Sequence, residues 1–471
     1  MKVVRNYLYN ASYQVFILLV PLITTPYLAR ILGPIGVGIN SYTNSIIQYF
    51  ILFGSIGVNL YGNRQVAFIR DDKKKLTQTF YEIFFMRIVT IIIAYLAFMI
   101  FLLFVDRNQK YYWAQSLSII AAAFDISWFF MGVENFAVTV LRNLVVKIIT
   151  LICIFSLVKS YADLNTYILI LSVSLLLGNL TLFPSLKRYI GSPRWQSLNL
   201  RRHFFPSVML FVPQVATQVY LVLNKTMLGS MISFRAAGYF DQSDKMIKMV
   251  LAAVTATGTV MLPHVANAFA NGQHEKTKQL LYKSFSFVTA LSVPMTFGLM
   301  AVAPTFVPLF FTSKFNSVIP VIIIESVVIL LIAWSNAIGT QYLLPTNQTK
   351  KYTTSVIIGA IVNLIVNIPL ILLWGAVGAS VATVISEATV TIYQLVVIRK
   401  QVNYHNLFLD TGKYLFAGLI MFVMVFELNQ RLPMTWLMLI AEVVIGIFIY
   451  AFTLFLLRVS LVEDAKYMLK K

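Results

Sequence analysis

Apolar stretches of about 20 residues, each long enough to cross a hydrocarbon layer of about 30 Å as a helix, recur along the whole of this sequence. A soluble fold has no place for so many of them. Soluble domains carry roughly a quarter of their residues as charged side chains, whereas here only 11% of 471 are charged and 59% are hydrophobic. The period within the stretches is helical and not the ten-residue alternation of outer-membrane strands. The chain therefore reads as an all-α integral membrane protein. Its basic start and first apolar stretch, MKVVRNYLYNASYQVFILLVPLITTPYLA, are too long for a signal-peptide core, and many further spans follow. That stretch is read as the first transmembrane helix.

About fourteen helices are expected. The first six cover 9–31, 37–61, 79–105, 111–132, 138–158 and 164–186, and the next six 204–229, 236–265, 279–311, 318–343, 353–374 and 377–398. The last two cover 412–428 and 433–457. With the N-terminus in the cytoplasm, the inner segments hold roughly 25 of the 37 Lys and Arg residues and the outer loops roughly 7, a strong positive-inside bias. Arg87, Lys147, Lys225, Lys245 and Lys248 fall inside spans. Both termini are expected to be cytoplasmic, in the inner membrane of a bacterium. The net charge of +20 is read as cytoplasmic loops and the basic tail, KYMLKK, facing anionic lipid, with no nucleic acid involved. The lone Cys153 is read as a small core residue, and the four histidines, His203, His264, His274 and His405, lack ligand spacing for a metal.

This topology places YFDQSDKMIKMV, residues 239–250, in the outer half of the eighth helix. Asp241, Asp244, Lys245 and Lys248 share one stripe at i, i+3, i+4 and i+7, continued by Ala252, Thr255 and Thr259. In lipid each charge would cost about 2.5–3.5 kcal/mol, so the stripe faces protein or water. Two readings stand: simple i,i+4 pairs near the outer interface, or the wall of a polar cavity. GINSYTNSIIQY, 38–49, lies 200 positions before GYFDQSDKMIKM, 238–249, and matches its polarity pattern. Both fall in the second helix of a six-helix block. Two such blocks share an orientation and are related by an axis along the membrane normal, with a site expected between them.

ARILGPIGVGINSYTNS, FGSIGVNLYGNRQVAFIRDD, FDISWFFMGVENF, LNKTMLG, AGYFDQSDKMIK, TGTVMLPHVA and GAVGASVATVISE resemble the polysaccharide transporter (Wzx-type) branch of the MOP superfamily, in order over nearly the whole chain. The resemblance implies fourteen helices, two six-helix lobes related by a pseudo-two-fold axis along the membrane normal, and a V-shaped central cavity. It also implies alternating access. The N-lobe would be 1–200, the C-lobe 201–402, and 403–471 would add two helices and a cytoplasmic tail. The implied substrate is an undecaprenyl-diphosphate-linked oligosaccharide repeat unit for O-antigen, capsule or exopolysaccharide. Two positions depart from the family: Asn224 stands where Asp is frequent in LDKTMIG, and His264 where MLPR has Arg.

A lipid-linked oligosaccharide combines a diphosphate, a glycan and a prenyl tail. Charge-assisted bonds to phosphate oxygens make Lys225, Lys245 and Lys248 the first candidates for the diphosphate. Arg87 and Lys147 follow, although Arg87 is equally read as snorkelling to the inner face. Asn40, Asn44, Gln48, Asn224, Asp241 and Asp244 are candidates for the glycan or cavity wall, against the alternative that buried amides bridge helices. Asp125, Glu325 and Glu387 are acids at membrane depth, read as candidates for ion coupling or as structural partners. On a continuous helix, Asp125 and Glu134 would face opposite sides and form no catalytic dyad. Glu442 is read either as facing a groove for the prenyl tail or as an interhelical contact.

No G-x-x-x-x-G-K-[ST] occurs, so energy is expected from H+ or Na+, the membrane potential or product removal, with no cofactor. Membrane lipids, a polysaccharide polymerase and chain-length machinery are the expected partners of a monomer that is not an enzyme. The alternatives are a lipid II flippase, a multidrug or cation exporter of the same superfamily and, more distantly, a membrane polymerase or glycosyltransferase. The exporter should prefer an acidic cavity, and the last two should need a larger external loop than any expected here.

Overall fold

The computed structural model describes residues 2–463, with side chains from Val20 onward apart from Phe136 and several positions within 212–221 and 257–260. Thr259 of the polar stripe and the tail KYMLKK lie outside the described residues. The chain divides into two compact units, Met1–Gly229 and Ser230–Lys471. Among the described residues, eleven helices are long and apolar enough to span a membrane, or twelve if the pair Phe234–Ala256 and Met261–Ala270, bent by 40°, forms one span. The protein is an all-helical, multi-pass membrane protein.

In the first unit, α1 (Lys2–Ser55) carries the first two expected helices as one element. It turns at Gly33, whose φ of 63° lies in the left-handed region that glycine enters without a steric penalty. The expected second helix ends early, because Ile56 and Gly57 have φ of 35° and 74°. The chain then restarts as α2 (Val58–Ile69). Asp72 caps α3 (Lys73–Leu102) by accepting the Lys74 and Lys75 amides, both at 3.1 Å.

The fourth expected helix is interrupted. α4 (Gln109–Ala123) stops, residues 124–126 leave helical geometry, and α5 (Ser127–Gly132) resumes. α6 (Phe136–Leu157), α7 (Leu164–Leu180), the short α8 (Phe183–Leu186) and α9 (Arg201–Met231) complete the unit.

An aromatic core holds α2, α3 and α5 together. Trp128 is fully buried and stacks on Phe80 with ring centroids 5.6 Å apart and planes 22° apart. Phe129 meets Phe80 edge-on at 5.3 Å. α9, the seventh expected helix, is bonded to this unit at both ends. Ser207 donates to the Ile56 carbonyl at 2.7 Å, and Thr226 donates to the hydroxyls of Ser45 at 2.8 Å and Tyr49 at 3.2 Å.

The second unit begins with α10 (Phe234–Ala270), capped by Ser233, and α11 (His274–Phe310). The tenth expected helix becomes α12 (Val318–Glu325), α13 (Val327–Ser335) and a π-helical stretch, Asn336–Leu343. α14 (Thr349–Trp374) and α15 (Ala376–Ile398) form a hairpin reversed at Gly375. α16 (Tyr404–Leu407), α17 (Thr411–Arg431) and α18 (Trp436–Leu456) follow. Interhelical side-chain bonds replace the hydrophobic drive that lipid removes, at about 0.6 kcal/mol each. Glu442 is one such contact and not a groove residue: it is buried and accepts from Asn429 at 2.7 Å, while Thr305 donates to the same Asn429 at 3.1 Å.

Gly57 tests the packing of α9. A Cβ there would lie 2.9 Å from the Ser207 carbonyl oxygen and 3.1 Å from the Phe211 Cα, on a residue already at positive φ. Gly57→Ala is expected to lower the melting temperature of the purified protein through a loss of about 1–3 kcal/mol. Gly412→Ala, where nothing lies within 4 Å of the new carbon, should leave it unchanged.

Candidate functional site

Within the first unit, Gln48, Ser55, Asn59 and Gln218 line a cavity of about 310 Å³ together with Ile51, Leu52, Gly57 and Val222. All four polar lining side chains are neutral and hydrogen-bonding. α1 supplies Gln48 and Ser55, the break after it supplies Gly57, α2 supplies Asn59, and α9 supplies Gln218 and Val222.

Arg87 lies behind this wall. Its Nη1 donates to Asn59 Oδ1 at 2.7 Å and to the Asp125 carbonyl at 2.9 Å, and its Nη2 is 3.6 Å from Asp125 Oδ2. The residue is 1% exposed. It therefore does not snorkel to the inner face, because Asn59 and the broken helix at Asp125 supply its counter-groups in place. Guanidinium is donor-only, so Asn59 must turn its oxygen toward Arg87, which leaves its NH2 edge as the donor it can present to the cavity. Asp125 is held in turn, accepting from the Ser127 amide at 3.0 Å. Asp125 and Glu134 are not a dyad, though for a different reason than a continuous helix. The helix is broken, and Glu134, at φ 56°, pairs with Arg70 at 2.7 Å.

The other amides of α1 divide. Gln48 Nε2 reaches Asn44 Oδ1 at 3.5 Å, and Asn44 is exposed. Asn40 takes the helix-bridging role, accepting from Gln115 of α4 at 3.2 Å. On α9, Asn224 is buried and Lys225 half-buried. On α6, Lys147 is exposed.

In the second unit, residues 239–250 are helix within α10, and two ion pairs form along the stripe. Lys245 bonds Asp241 at 2.5 Å and Lys248 bonds Asp244 at 2.8 Å, both i,i+4. The carboxylates are 6% and 13% exposed and the lysine side chains 39% and 46%. Thr255 returns its hydroxyl to the Leu251 carbonyl at 3.1 Å. Glu325 is buried on α12 and accepts from Ser243 at 2.5 Å, on α10. Glu387 is half-buried on α15. Among the described residues no group of three or more His, Cys, Asp or Glu could hold a metal.

Sequence reasoning passed over Ser55, Asn59 and Gln218. Asn59 lies in the quoted stretch FGSIGVNLYGNRQVAFIRDD, but its link to Arg87 spans 28 residues and no periodicity signals it.

A family model described as polysaccharide biosynthesis protein matches residues 3–269. The chain belongs to this family. Over 400 residues it is 24% identical to the "Putative O-antigen transporter" of Escherichia coli (strain K12), covering 84% of this chain and 96% of that protein. Its fold is that of the solved "Lipid II flippase MurJ, inward closed conformation", with a TM-score of 0.73, 16% identity and coverage of 96% and 98% of the two chains. An inward-facing multidrug resistance MATE family transporter of the MOP superfamily is similar at a TM-score of 0.62 and 12% identity, over 84% of this chain and 94% of that one.

For this family member, Arg87 and Asn59 are expected to separate experimentally. Arg87→Leu leaves Asp125 without its cation and should cost about 3–5 kcal/mol, seen as a lower melting temperature and poor yield. Asn59→Ala should cost no more than about 1 kcal/mol and leave the protein at normal level. Equal melting temperatures for the two variants would contradict this division.

Proposed function

We propose that this protein is a flippase that carries undecaprenyl-diphosphate-linked oligosaccharide repeat units across the cytoplasmic membrane for surface polysaccharide synthesis. The end-to-end similarity to an O-antigen transporter carries the reading, and the likeness of fold to a lipid II flippase agrees with it. The protein is a transporter and not an enzyme. Alternating access is the proposed mechanism. The lobes are proposed to follow the sequence repeat, 1–200 and 201–402 with 403–471 appended, even though the contacts of α9 place it with the first compact unit.

The proposed division of labour follows the substrate's chemistry. Lys225, Lys245 and Lys248 are proposed to bind diphosphate oxygens, and the partial exposure of the Lys245 and Lys248 side chains supports this role. Arg87 is proposed to act through Asn59 and not by direct contact. Lys147 is kept as a candidate cation. Gln48 and Asn44, with Asn59, Ser55 and Gln218, offer hydrogen bonds to sugar hydroxyls. Asn40, Asn224, Asp241 and Asp244 are proposed to set the shape and polarity of the wall. Asp125, Glu325 and Glu387 are the proposed coupling acids for H+ or Na+, as acids at membrane depth. The Lys and Arg asymmetry supports cytoplasmic termini. A polymerase and chain-length machinery are the proposed partners of a monomeric flippase.

Single replacement of Lys225, Lys245 and Lys248 by Ala should lower surface polysaccharide roughly tenfold or more at normal protein level, as expected for losing a charge-assisted bond of about 1.5–3 kcal/mol. Full activity in all three variants would remove the lysines from the site. Mass spectrometry of a deletion strain should find lipid-linked sugars accumulating on the cytoplasmic side. In vesicles, transport should respond to an imposed ion gradient and lose that response in Glu387→Gln. Indifference to both would exclude Glu387.

A further inference from the structure

Glu82 of α3 is 0% exposed and accepts four donors. Oε1 takes the Asn199 amide at 2.9 Å and Gln78 Nε2 at 3.3 Å, and Oε2 takes His203 Nε2 at 2.8 Å and the Arg202 guanidinium at 2.5 Å. His203, in the first turn of α9, is 4% exposed, and its Nδ1 lies 2.7 Å from the hydroxyl of Tyr61 on α2. Paired with the Arg202 guanidinium at 2.5 Å, Glu82 is a carboxylate and acceptor-only, so His203 carries a hydrogen on Nε2. Nδ1 then accepts from Tyr61. Arg202 Nε lies 3.1 Å from the same His203 Nε2, and with this tautomer that contact faces donor to donor.

The charges around the imidazole are few. Glu82 faces it from α3, Arg202 from its own helix and Tyr61 from α2, with the Arg64 guanidinium 6.0 Å from the Tyr61 ring centre. With a neutral imidazole, Glu82 and Arg202 balance. An imidazolium would meet the guanidinium at contact distance, so the buried carboxylate has room for one cation and not two. Arg202 alone has a way out: its side chain is 50% exposed, against 5% for His203 and 0% for Glu82.

We propose that Glu82 and His203 form a proton-binding site at which a proton from water and the Arg202 side chain displace one another. When the proton binds, it sits on His203 Nδ1. The Tyr61 oxygen then becomes the acceptor and its own hydrogen turns away, Nε2–H remains on Glu82, and Arg202 swings into water. Deprotonation of Nδ1 reverses each step, so one proton and one guanidinium exchange: the charge of the buried cluster is conserved, while the protein as a whole gains the one positive charge taken from water. The site joins α2, α3 and α9, so its occupancy changes how the start of α9 is held. It is separate from Asp125, Glu325 and Glu387. As a place where a transporter could couple to a proton gradient it rests on the flippase reading, but the exchange itself does not.

The full-length protein in nanodiscs provides the test. The modification of Arg202 by phenylglyoxal, divided by that of the adjacent Arg201 to cancel the reagent's own pH dependence, is read by mass spectrometry from pH 8 to pH 5. The ratio should rise severalfold as pH falls, and should be flat in His203→Gln. Nitrogen-15 NMR of the histidines should show His203 as the neutral Nε2–H tautomer at pH 7. Its titration midpoint should move up by at least about one unit in Arg202→Gln, through loss of the competing charge. A flat ratio in the wild-type protein, or a midpoint unmoved by Arg202→Gln, would mean a static latch and overturn the proposal. Because neither readout needs a transported substrate, failure of the flippase reading would leave this result standing.

Discussion

A charge placed among apolar helices is costly unless a counter-charge meets it, and ion pairs that do so occur in both units. Each uncompensated charge at membrane depth would cost several kcal/mol, an amount comparable to the whole stability of a typical domain. The structure meets such charges in three ways. Arg87 is enclosed by Asn59 and by the broken helix at Asp125. Lys245 and Lys248 find their partners one turn away on the same helix. Glu82 draws its donors from two helices and a loop.

These solutions differ in what they leave available. Local i,i+4 pairs are formed within α10 and leave the lysine side chains partly exposed. The Arg87 arrangement is closed, and what it contributes to the cavity is the fixed orientation of the Asn59 amide. The Glu82 arrangement is intermediate, with two buried members and one half-exposed arginine. The three arrangements thus differ in how far each ion pair is buried.

Much of the fold is legible in the residues. Helical periodicity and apolar length indicate a helical membrane protein, and among the described residues eleven or twelve spans stand against the fourteen expected, several of them interrupted. The interruptions are less legible. Phe124–Ile126 breaks where Asp125 must turn its carbonyl and carboxylate toward Arg87, a partner 38 residues away that no local pattern reveals. Ile56–Gly57 breaks where the chain admits Ser207 and Phe211 of α9 at close range. The candidate residues were half legible: Gln48 and the α10 stripe are picked out by spacing, whereas the fold alone sets Asn59 and Gln218 on one cavity and, separately, His203 against Glu82.

The sequence by itself determined the class of the molecule and the i,i+4 spacing that sets Asp241 beside Lys245 and Asp244 beside Lys248, because these depend on composition and on positions within one or two helical turns. The tertiary structure alone decided that Arg87 is enclosed and not snorkelling, that Glu442 is an interhelical contact, and that α9 is held by the first unit. It also decided that His203 bridges Tyr61 and Glu82. Each of these is a hydrogen bond or ion pair between residues far apart in sequence, and its partner is chosen by which helices pack together, a choice that helical periodicity does not encode.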